Sequence, residues 1–230
     1  MTVAELTRRY GLPGGAGRQL TLLLDALEAE PDPHTAIRGR DEAVRMHLAD
    51  SLSGLEIEGL RGARRIADVG AGAGFPGLAL AVALPGAEVD LVESAGRKCG
   101  VIERLASAAG LGNAHAVHAR AEEHAAAGGA GAYDAVTARA VAPLAVLLEY
   151  AAPLLREGGS LVAWRGRRDR EQERSAERSA ALLGLSPGQV RLVSPFPGAR
   201  DRHLHVHSKV KPTPDRFPRR PGMAAKRPLG

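Results

Sequence analysis

The chain has 230 residues, of which 44% are apolar and 25% charged, as in a globular protein with one substantial core. No apolar run approaches the roughly 20 residues needed to span a bilayer, no secretory signal opens the chain, and the single Cys99 cannot form an intrachain disulfide. We therefore expect a cytoplasmic protein with no membrane partner. The net charge of +5 lies entirely in residues 211–230, which carry six Lys and Arg against one Asp.

Residues 1–60 show helical patterns at 18–30 and 41–55, which the breaker Pro31–Pro33 separates. These patterns predict an N-terminal helical cap.

From residue 64 onward, short apolar runs alternate with longer helical patterns. Helices are predicted near 77–84, 97–109, 144–155 and 170–183, and strands at 64–69, 87–93, 114–119, 133–138, 160–164, 189–194 and 203–210. Strands separated by helices of this length indicate a doubly wound, mostly parallel sheet. The last two strands are joined by the short loop 195–202, so we expect an antiparallel pair at one edge. Residues 61–210 are thus predicted to form one Rossmann-like α/β domain with a seven-stranded sheet.

Residues 211–230 contain five of the fifteen prolines and show no apolar period. A segment of this composition cannot form a core of its own, so we predict a disordered basic tail. It either binds polyanions through phosphate contacts or is a solubilising terminus without a partner.

The glycine-rich stretch DVGAGAGFPG, residues 68–77, directly follows the first strand of the sheet. Glycines at such a position permit a tight turn and bring backbone N–H groups close to a ligand. Gly72, Gly74 and Gly77 satisfy the dinucleotide fingerprint, and Glu93 ends the next strand as a ribose-binding acid should. On this stretch alone, a nicotinamide enzyme remains a candidate.

Counted from Asp68, the same stretch reads D-x-G-x-G-x-G and resembles the first motif of S-adenosylmethionine-dependent methyltransferases. Further along the chain, the segments HLADSL, LVESAGRKCGVIERLASAAGL, ARAEE, YDAVTARAVAPL, AWRG and DRHLHV follow in order. Together with GFPG they resemble the bacterial small-subunit rRNA guanine-N7 methyltransferases, the RsmG or GidB family, over about residues 35–208.

The resemblance implies a class I methyltransferase fold with S-adenosyl-L-methionine as cofactor. Asp68 is expected to orient the glycine loop and to meet the amino acid part of the cofactor, and Glu93 to bind its ribose. Ala121 and Glu122 match the family's adenine-contacting pair. The implied cofactor-binding residues are Asp68, Gly70, Gly72, Gly74, Phe75, Glu93, Ala121, Glu122 and Arg139.

Arg139 follows the fourth strand and is expected to face both cofactor and substrate. His47, Asp50 and Ser51 share one helix face by their spacing, and the resemblance implies that this face closes over the pocket. The basic residues expected to hold RNA phosphates are Arg97, Lys98, Arg165 and Arg202. For His203, His205 and His207 we do not expect a metal, because the strand offers no carboxylate or cysteine at a familiar ligand spacing.

The expected activity is methylation of N7 of a guanine in 16S rRNA, at position 527 by the resemblance, with 16S rRNA or the small ribosomal subunit as partner. Guanine N7 has a lone pair and no hydrogen, so no general base is expected, and TARAVAP stands where the D/N-P-P-Y or Pro-Cys motifs of other methyltransferases are found. The alternative is a methyltransferase acting on a small molecule or another RNA.

Overall fold

The computed structural model describes residues 1–229, which form a seven-stranded sheet with the order β3-β2-β1-β4-β5-β7-β6. The strands are β1 Arg65–Val69, β2 Glu88–Glu93, β3 Ala114–His118, β4 Tyr133–Arg139, β5 Leu155–Arg165, β6 Gln189–Leu192 and β7 His203–Ser208. Strands β1 to β5 are parallel to one another, as the helical crossovers predict.

The short loop before β7 produces the antiparallel pairing that the sequence predicts. Strand β7 pairs antiparallel with β5 on one side and with β6 on the other. The antiparallel strand therefore lies one position inside the sheet, and β6 is the edge. The predicted Rossmann-like fold with seven strands is confirmed.

Helices cover both faces of the sheet and also form the cap. Those of the cap are α1 Val3–Tyr10, α2 Ala16–Ala29, α3 Arg40–Ala43, α4 Asp50–Leu52 and α5 Glu58–Arg61, with a π-helical segment Val44–Ala49 and a 3-10 segment Ser53–Glu56. Those of the sheet region are α6 Gly77–Ala83, α7 Gly96–Ala108, α8 Ala121–His124, α9 Leu144–Leu154, α10 Arg170–Leu183 and α11 Met223–Lys226, with a π-helical segment Ala125–Gly129 after α8.

The cap shares its hydrophobic core with the sheet. Leu20 and Leu48 of the cap belong to the same buried cluster as Ile66 and Leu91 of the strands. At Gly54 the contact is so close that a Cβ atom would lie 2.4 Å from the ring of Trp164. Because the cap and the sheet share one hydrophobic core, packing against the sheet sets the position of the cap. The domain boundary at residue 60 stays a prediction.

The C-terminal segment, residues 211–229, differs from the predicted disordered tail. Phe217 is buried in the cluster formed by α9, α10 and the adjoining strands, and Arg219 donates two hydrogen bonds to the buried carboxylate of Glu149. The segment docks through a few anchors onto a core that already exists, so it does not need the apolar period that a separate core would require.

None of the helices in residues 1–229 is both long enough and apolar enough to cross a membrane.

Candidate active site

Asp68 holds the glycine loop to the sheet. Its side chain is fully buried at the end of β1; one oxygen accepts a hydrogen bond from the Gly77 amide at 2.9 Å and the other from the Thr137 hydroxyl at 2.8 Å. Burial raises the pKa of Asp68 to about 6, against the opposing effect of both hydrogen bonds and of Arg139. With both oxygens engaged, the geometry favours the loop-orienting role expected of Asp68, while its contact with the cofactor stays a prediction.

Gly77 begins α6 in a space that admits no side chain. A Cβ atom at this position would lie 2.7 Å from the Leu91 side chain and 2.8 Å from the carboxylate of Asp68. The third glycine of the fingerprint is therefore required for packing between loop and sheet.

We expect Gly77→Ala to lower the free energy of unfolding by about 1–3 kcal/mol, because an added methyl group overpacks this site. The matched control is Gly86→Ala, since nothing lies within 4 Å of a Cβ atom there. Chemical denaturation measures both variants, and equal destabilisation by the two substitutions would contradict the packing argument.

Glu93 closes the opposite side of the loop. Its carboxylate accepts hydrogen bonds from the Gly72 amide at 3.1 Å and the Ala95 amide at 2.9 Å, and the ammonium of Lys98 lies 3.9 Å away. The structure thus places Lys98 beside the predicted ribose-binding acid. The contact with RNA that was predicted for Lys98 would have to compete with the Lys98–Glu93 ion pair.

A cavity of about 130 Å³ opens over the loop at the carboxyl ends of β1, β2 and β3. Three predicted cofactor residues, Gly70, Ala121 and Glu122, line it, together with Val141 and Tyr150. A Cβ atom on Gly70 would lie 2.6 Å from Val141, so only glycine permits this close approach. This cavity is the candidate site for the adenosine part of the cofactor.

A second cavity, of about 260 Å³, lies between the cap and the carboxyl ends of β4 and β5. Its lining includes five of the predicted site residues, His47, Asp50, Arg139, Arg165 and Arg202. The turn that follows β4 separates the two cavities, because Ala140 lines the second and Val141 lines the first. A third cavity of about 270 Å³, between α2 and residues 31–43, contains none of the predicted site residues.

Arg139 connects this turn to the cap. One terminal nitrogen donates to the Met46 carbonyl at 2.9 Å, to the Asp50 carboxylate at 3.1 Å and to the Ser51 hydroxyl at 3.3 Å. Arg139 thus joins the turn after β4 to the helix face that carries Asp50 and Ser51, a contact that the sequence did not predict.

His47 covers the glycine loop from the cap side. Its ring stacks on Phe75, with centroids 4.7 Å apart, and its Nε2 lies 3.1 Å from the Thr35 hydroxyl. Burial, together with the positive charge of Arg139, lowers the pKa of His47 to about 4. The imidazole is therefore neutral at physiological pH.

The other basic residues fall into two groups. Arg202 lies on the wall of the second cavity, with its Nε 3.9 Å from Asp50, and Arg165 lies there too but donates to the Ala142 carbonyl and the Gln172 side chain, both at 2.8 Å. Arg97 lies outside both cavities; it is exposed at the start of α7 and pairs with no acid within residues 1–229.

Sequence reasoning missed Thr137 and the role of Trp164. Thr137 faces Asp68 because β1 and β4 pair in that register, and no local sequence pattern marks it. The indole of Trp164 donates to the Asp50 carbonyl at 2.7 Å and lines the second cavity. A single tryptophan at the end of a predicted strand was the available signal.

Two of the three histidines of β7 contact backbone carbonyls, and the third, His205, lies 3.9 Å from the carboxylate of Glu173. His203 lies 2.9 Å from the Gly166 oxygen and His207 3.0 Å from the Ser186 oxygen. Within residues 1–229, no three histidine, cysteine or acidic side chains are grouped so that they could hold a metal ion.

Two buried histidines predict how stability depends on pH. Burial lowers the pKa of His47 and of His205 to about 4, so the unfolded chain binds more protons than the folded one between pH 4 and 6.5. Each histidine contributes about 3 kcal/mol to the free energy of unfolding above pH 6.5, and this contribution is lost as the pH falls to 4. Asp68, whose pKa is raised to about 6, has the opposite sign in nearly the same range and offsets about one of them.

We therefore expect these three groups together to lower the free energy of unfolding by about 3 kcal/mol between pH 6.5 and 4, as measured by denaturant titration at each pH. Burial also lowers the pKa of His207 and of His124, which adds to the decline. His205→Asn should remove about 3 kcal/mol of it. His115→Asn, at an exposed histidine that pairs with Glu88, should leave it unchanged. A free energy of unfolding that does not change between pH 6.5 and 4 in the unsubstituted protein would contradict the attribution of the decline to buried histidines.

Comparison with known proteins shows the family to which the chain belongs. The family model described as rRNA small subunit methyltransferase G matches residues 34–204. The protein named ribosomal RNA small subunit methyltransferase G from Chloroflexus aggregans is 41% identical over 98% of this chain and 96% of its own. The protein of the same name from Rubrobacter xylanophilus is 43% identical over 80% of this chain and 72% of its own.

Solved structures agree on the fold. A SAM-dependent O-methyltransferase from Thermotoga maritima superimposes with a TM-score of 0.59 at 16% identity, covering 82% of this chain and 71% of its own. Fibrillarin from Aeropyrum pernix, solved with natively bound S-adenosyl-L-methionine, gives a TM-score of 0.53 at 18% identity, covering 69% and 72%. The resemblance seen in the sequence is confirmed: this chain belongs to the rRNA small subunit methyltransferase G family.

Proposed function

We propose that this chain transfers a methyl group from S-adenosyl-L-methionine to N7 of a single guanine in 16S rRNA, the guanine at position 527 that the sequence resemblance implies. Family membership makes the chain an rRNA methyltransferase; the atom, the nucleotide and the residue roles are the proposal. The observation that carries it is the pair of cavities on either side of the turn after Arg139. One is lined by Gly70 at the start of the glycine loop and by Glu122, and the other by arginines.

The first cavity fits a nucleoside cofactor. Gly70 permits close approach of the backbone, Glu122 lines the wall where an adenine edge would lie, and Glu93 stands at the end of β2. Phe75 is held in place by its stack with His47 and shapes the loop. Bound S-adenosylmethionine supplies an electrophilic methyl group on its sulfonium centre.

The second cavity fits a guanine base that has been extruded from its stack. Guanine presents O6 and N7 as neighbouring acceptors, a pattern that arginine commonly recognises. Arg139 and Arg202 both reach this cavity, and the carboxylate of Asp50 lies within 4 Å of each. We assign Asp50 as a positioning residue that holds the two guanidinium groups towards O6, leaving N7 free to react.

The cavity is suited to a reaction that removes no proton. The carboxylate of Asp50 is paired with Arg139, and Nε2 of His47 lies 3.1 Å from the Thr35 hydroxyl, whereas Nδ1 of His47 has no hydrogen-bond partner within residues 1–229. Attack by the N7 lone pair places positive charge on the base, and nothing must be deprotonated for the new bond to form. The rate enhancement is assigned to alignment of the two reactants across the turn.

The test is the content of 7-methylguanosine in small-subunit rRNA from cells with and without the gene, together with methyl transfer by the purified protein. We expect one modified guanine, lost on deletion and restored by the purified enzyme with S-adenosylmethionine. Methylation at another atom or nucleotide would refute the position. Transfer to small molecules with none to rRNA would favour the alternative activity.

A further inference from the structure

The C-terminal segment, residues 211–229, is anchored to the sheet region by a buried ion pair. Nε and Nη2 of Arg219 donate to the two oxygens of Glu149 at 2.6 and 2.5 Å, and Glu149 is only 1% exposed. Removing either partner of such a pair leaves an uncompensated buried charge, which is strongly unfavourable. The buried Phe217 adds an apolar anchor two residues before Arg219.

A further contact brings the segment to the rim of the first cavity. The Gly222 amide donates to the carboxylate of Glu122 at 2.9 Å, and Glu122 lines that cavity together with Gly70 and Ala121. The segment therefore crosses α9, where Glu149 lies, and reaches the edge of the sheet at which the reaction is proposed to occur.

The charged side chains at residues 220–227 of the segment are all positive. Arg220, Lys226 and Arg227 are exposed, lie within five residues of Gly222, and form no ion pair with any acid in residues 1–229. Since residues 211–230 carry the whole net charge of +5, the remaining 210 residues sum to zero. Three of the six cations of the segment therefore lie close in sequence to Gly222, which contacts the rim of the cofactor cavity.

We propose that the docked segment around Gly222 is a second RNA-binding surface, which contacts phosphates of the substrate rRNA beside the cofactor cavity. The inference rests on the proposed function, because it takes rRNA as the partner. The segment lies outside residues 34–204, which the family model matches, so it adds a contact to the matched part of the chain. Lysine and arginine without acidic partners are suited to phosphate oxygens, and such contacts carry affinity without reading sequence.

The experiment compares two double substitutions that remove the same charge. Arg220→Gln with Lys226→Gln removes cations next to Gly222. Lys211→Gln with Arg216→Gln removes exposed cations from the part of the segment that precedes Phe217. There the Thr213 hydroxyl donates to the Ala152 carbonyl near the C-terminal end of α9. Affinity for protein-free small-subunit rRNA is measured by fluorescence anisotropy across a range of salt concentrations, and S-adenosylhomocysteine affinity by calorimetry.

We expect the first pair to weaken RNA affinity about 3- to 10-fold near physiological salt and to reduce the slope of log affinity against log salt by about 1–2, as loss of one or two phosphate contacts requires. The second pair should leave both quantities nearly unchanged. Neither should alter S-adenosylhomocysteine affinity. The melting temperature should be unchanged in the first pair and slightly lower in the second, because Arg216 lies over the ring of Phe217.

Equal effects of the two pairs, or no effect of the first, would overturn the proposal. Because anisotropy reports binding rather than methylation, this result is independent of the proposed activity. If RNA binding behaves as expected but no methyl group is transferred, the proposed function fails and the surface stands.

Discussion

Arg139→Ala is expected to reduce kcat for methyl transfer to small-subunit rRNA by about 100-fold or more, since displacement of reacting groups by about 1 Å can have an effect of this size. The guanidinium joins the turn between the cavities to the cap through Met46, Asp50 and Ser51. Its removal frees the turn and leaves Asp50, which is only 5% exposed, without its nearest cation. Affinity for S-adenosylhomocysteine should change by only a few fold.

The matched control is Arg61→Ala. Arg61 also joins segments by donating to backbone carbonyls, those of Leu55 at 3.1 Å and Tyr10 at 3.4 Å, but it lines neither cavity. We expect Arg61→Ala to lower stability somewhat while kcat stays near that of the unsubstituted enzyme. Full methyl transfer by Arg139→Ala would show that the active site has been placed wrongly.

Arg139→Lys separates charge from geometry. Lysine keeps the positive charge but cannot reach the Met46 carbonyl and the Asp50 carboxylate with the planar geometry of a guanidinium. If alignment of the turn is the essential role, kcat should stay low while KM for rRNA remains near its original value. Recovery of kcat with lysine would instead indicate that positive charge alone is required.

The strands and the glycine loop were predictable because they depend on local patterns. Period and breakers locate β1 to β5, and a glycine run after a buried strand indicates a ligand loop wherever the rest of the chain goes. The position of Arg139 at the end of β4 followed in the same way. Its pairing with Asp50 did not, because these residues are separated by 89 positions and meet only once the cap has docked.

The tail shows where composition is misleading. Proline and charge content describe the average of twenty residues. Docking depends instead on Phe217 and on Arg219, which donates to the buried carboxylate of Glu149. A buried carboxylate in the middle of α9, within a strongly apolar pattern, was the sequence signal for a missing cation. Its partner could not be identified without the fold.

Asp68→Ala is expected to weaken binding of S-adenosylhomocysteine by about 30-fold or more and to lower the free energy of unfolding by about 2–4 kcal/mol. The substitution leaves the Gly77 amide and the Thr137 hydroxyl buried without their acceptor, and each unsatisfied group costs about 1–3 kcal/mol. The glycine loop then loses its attachment to β1 and no longer holds the conformation that lines the first cavity. Calorimetry and denaturant titration measure the two effects.

Asp68→Asn decides how Asp68 acts. Asparagine has the same shape; its oxygen can accept from the Gly77 amide while its NH2 group donates to the Thr137 hydroxyl, so both buried contacts survive without the charge. If Asp68 serves to orient the loop, affinity for S-adenosylhomocysteine should stay within about 5-fold of the original, a loss of about 1 kcal/mol. If the carboxylate attracts the ammonium of the cofactor's amino acid part, Asp68→Asn should instead approach Asp68→Ala. Full burial of Asp68 and the engagement of both its oxygens favour the first result.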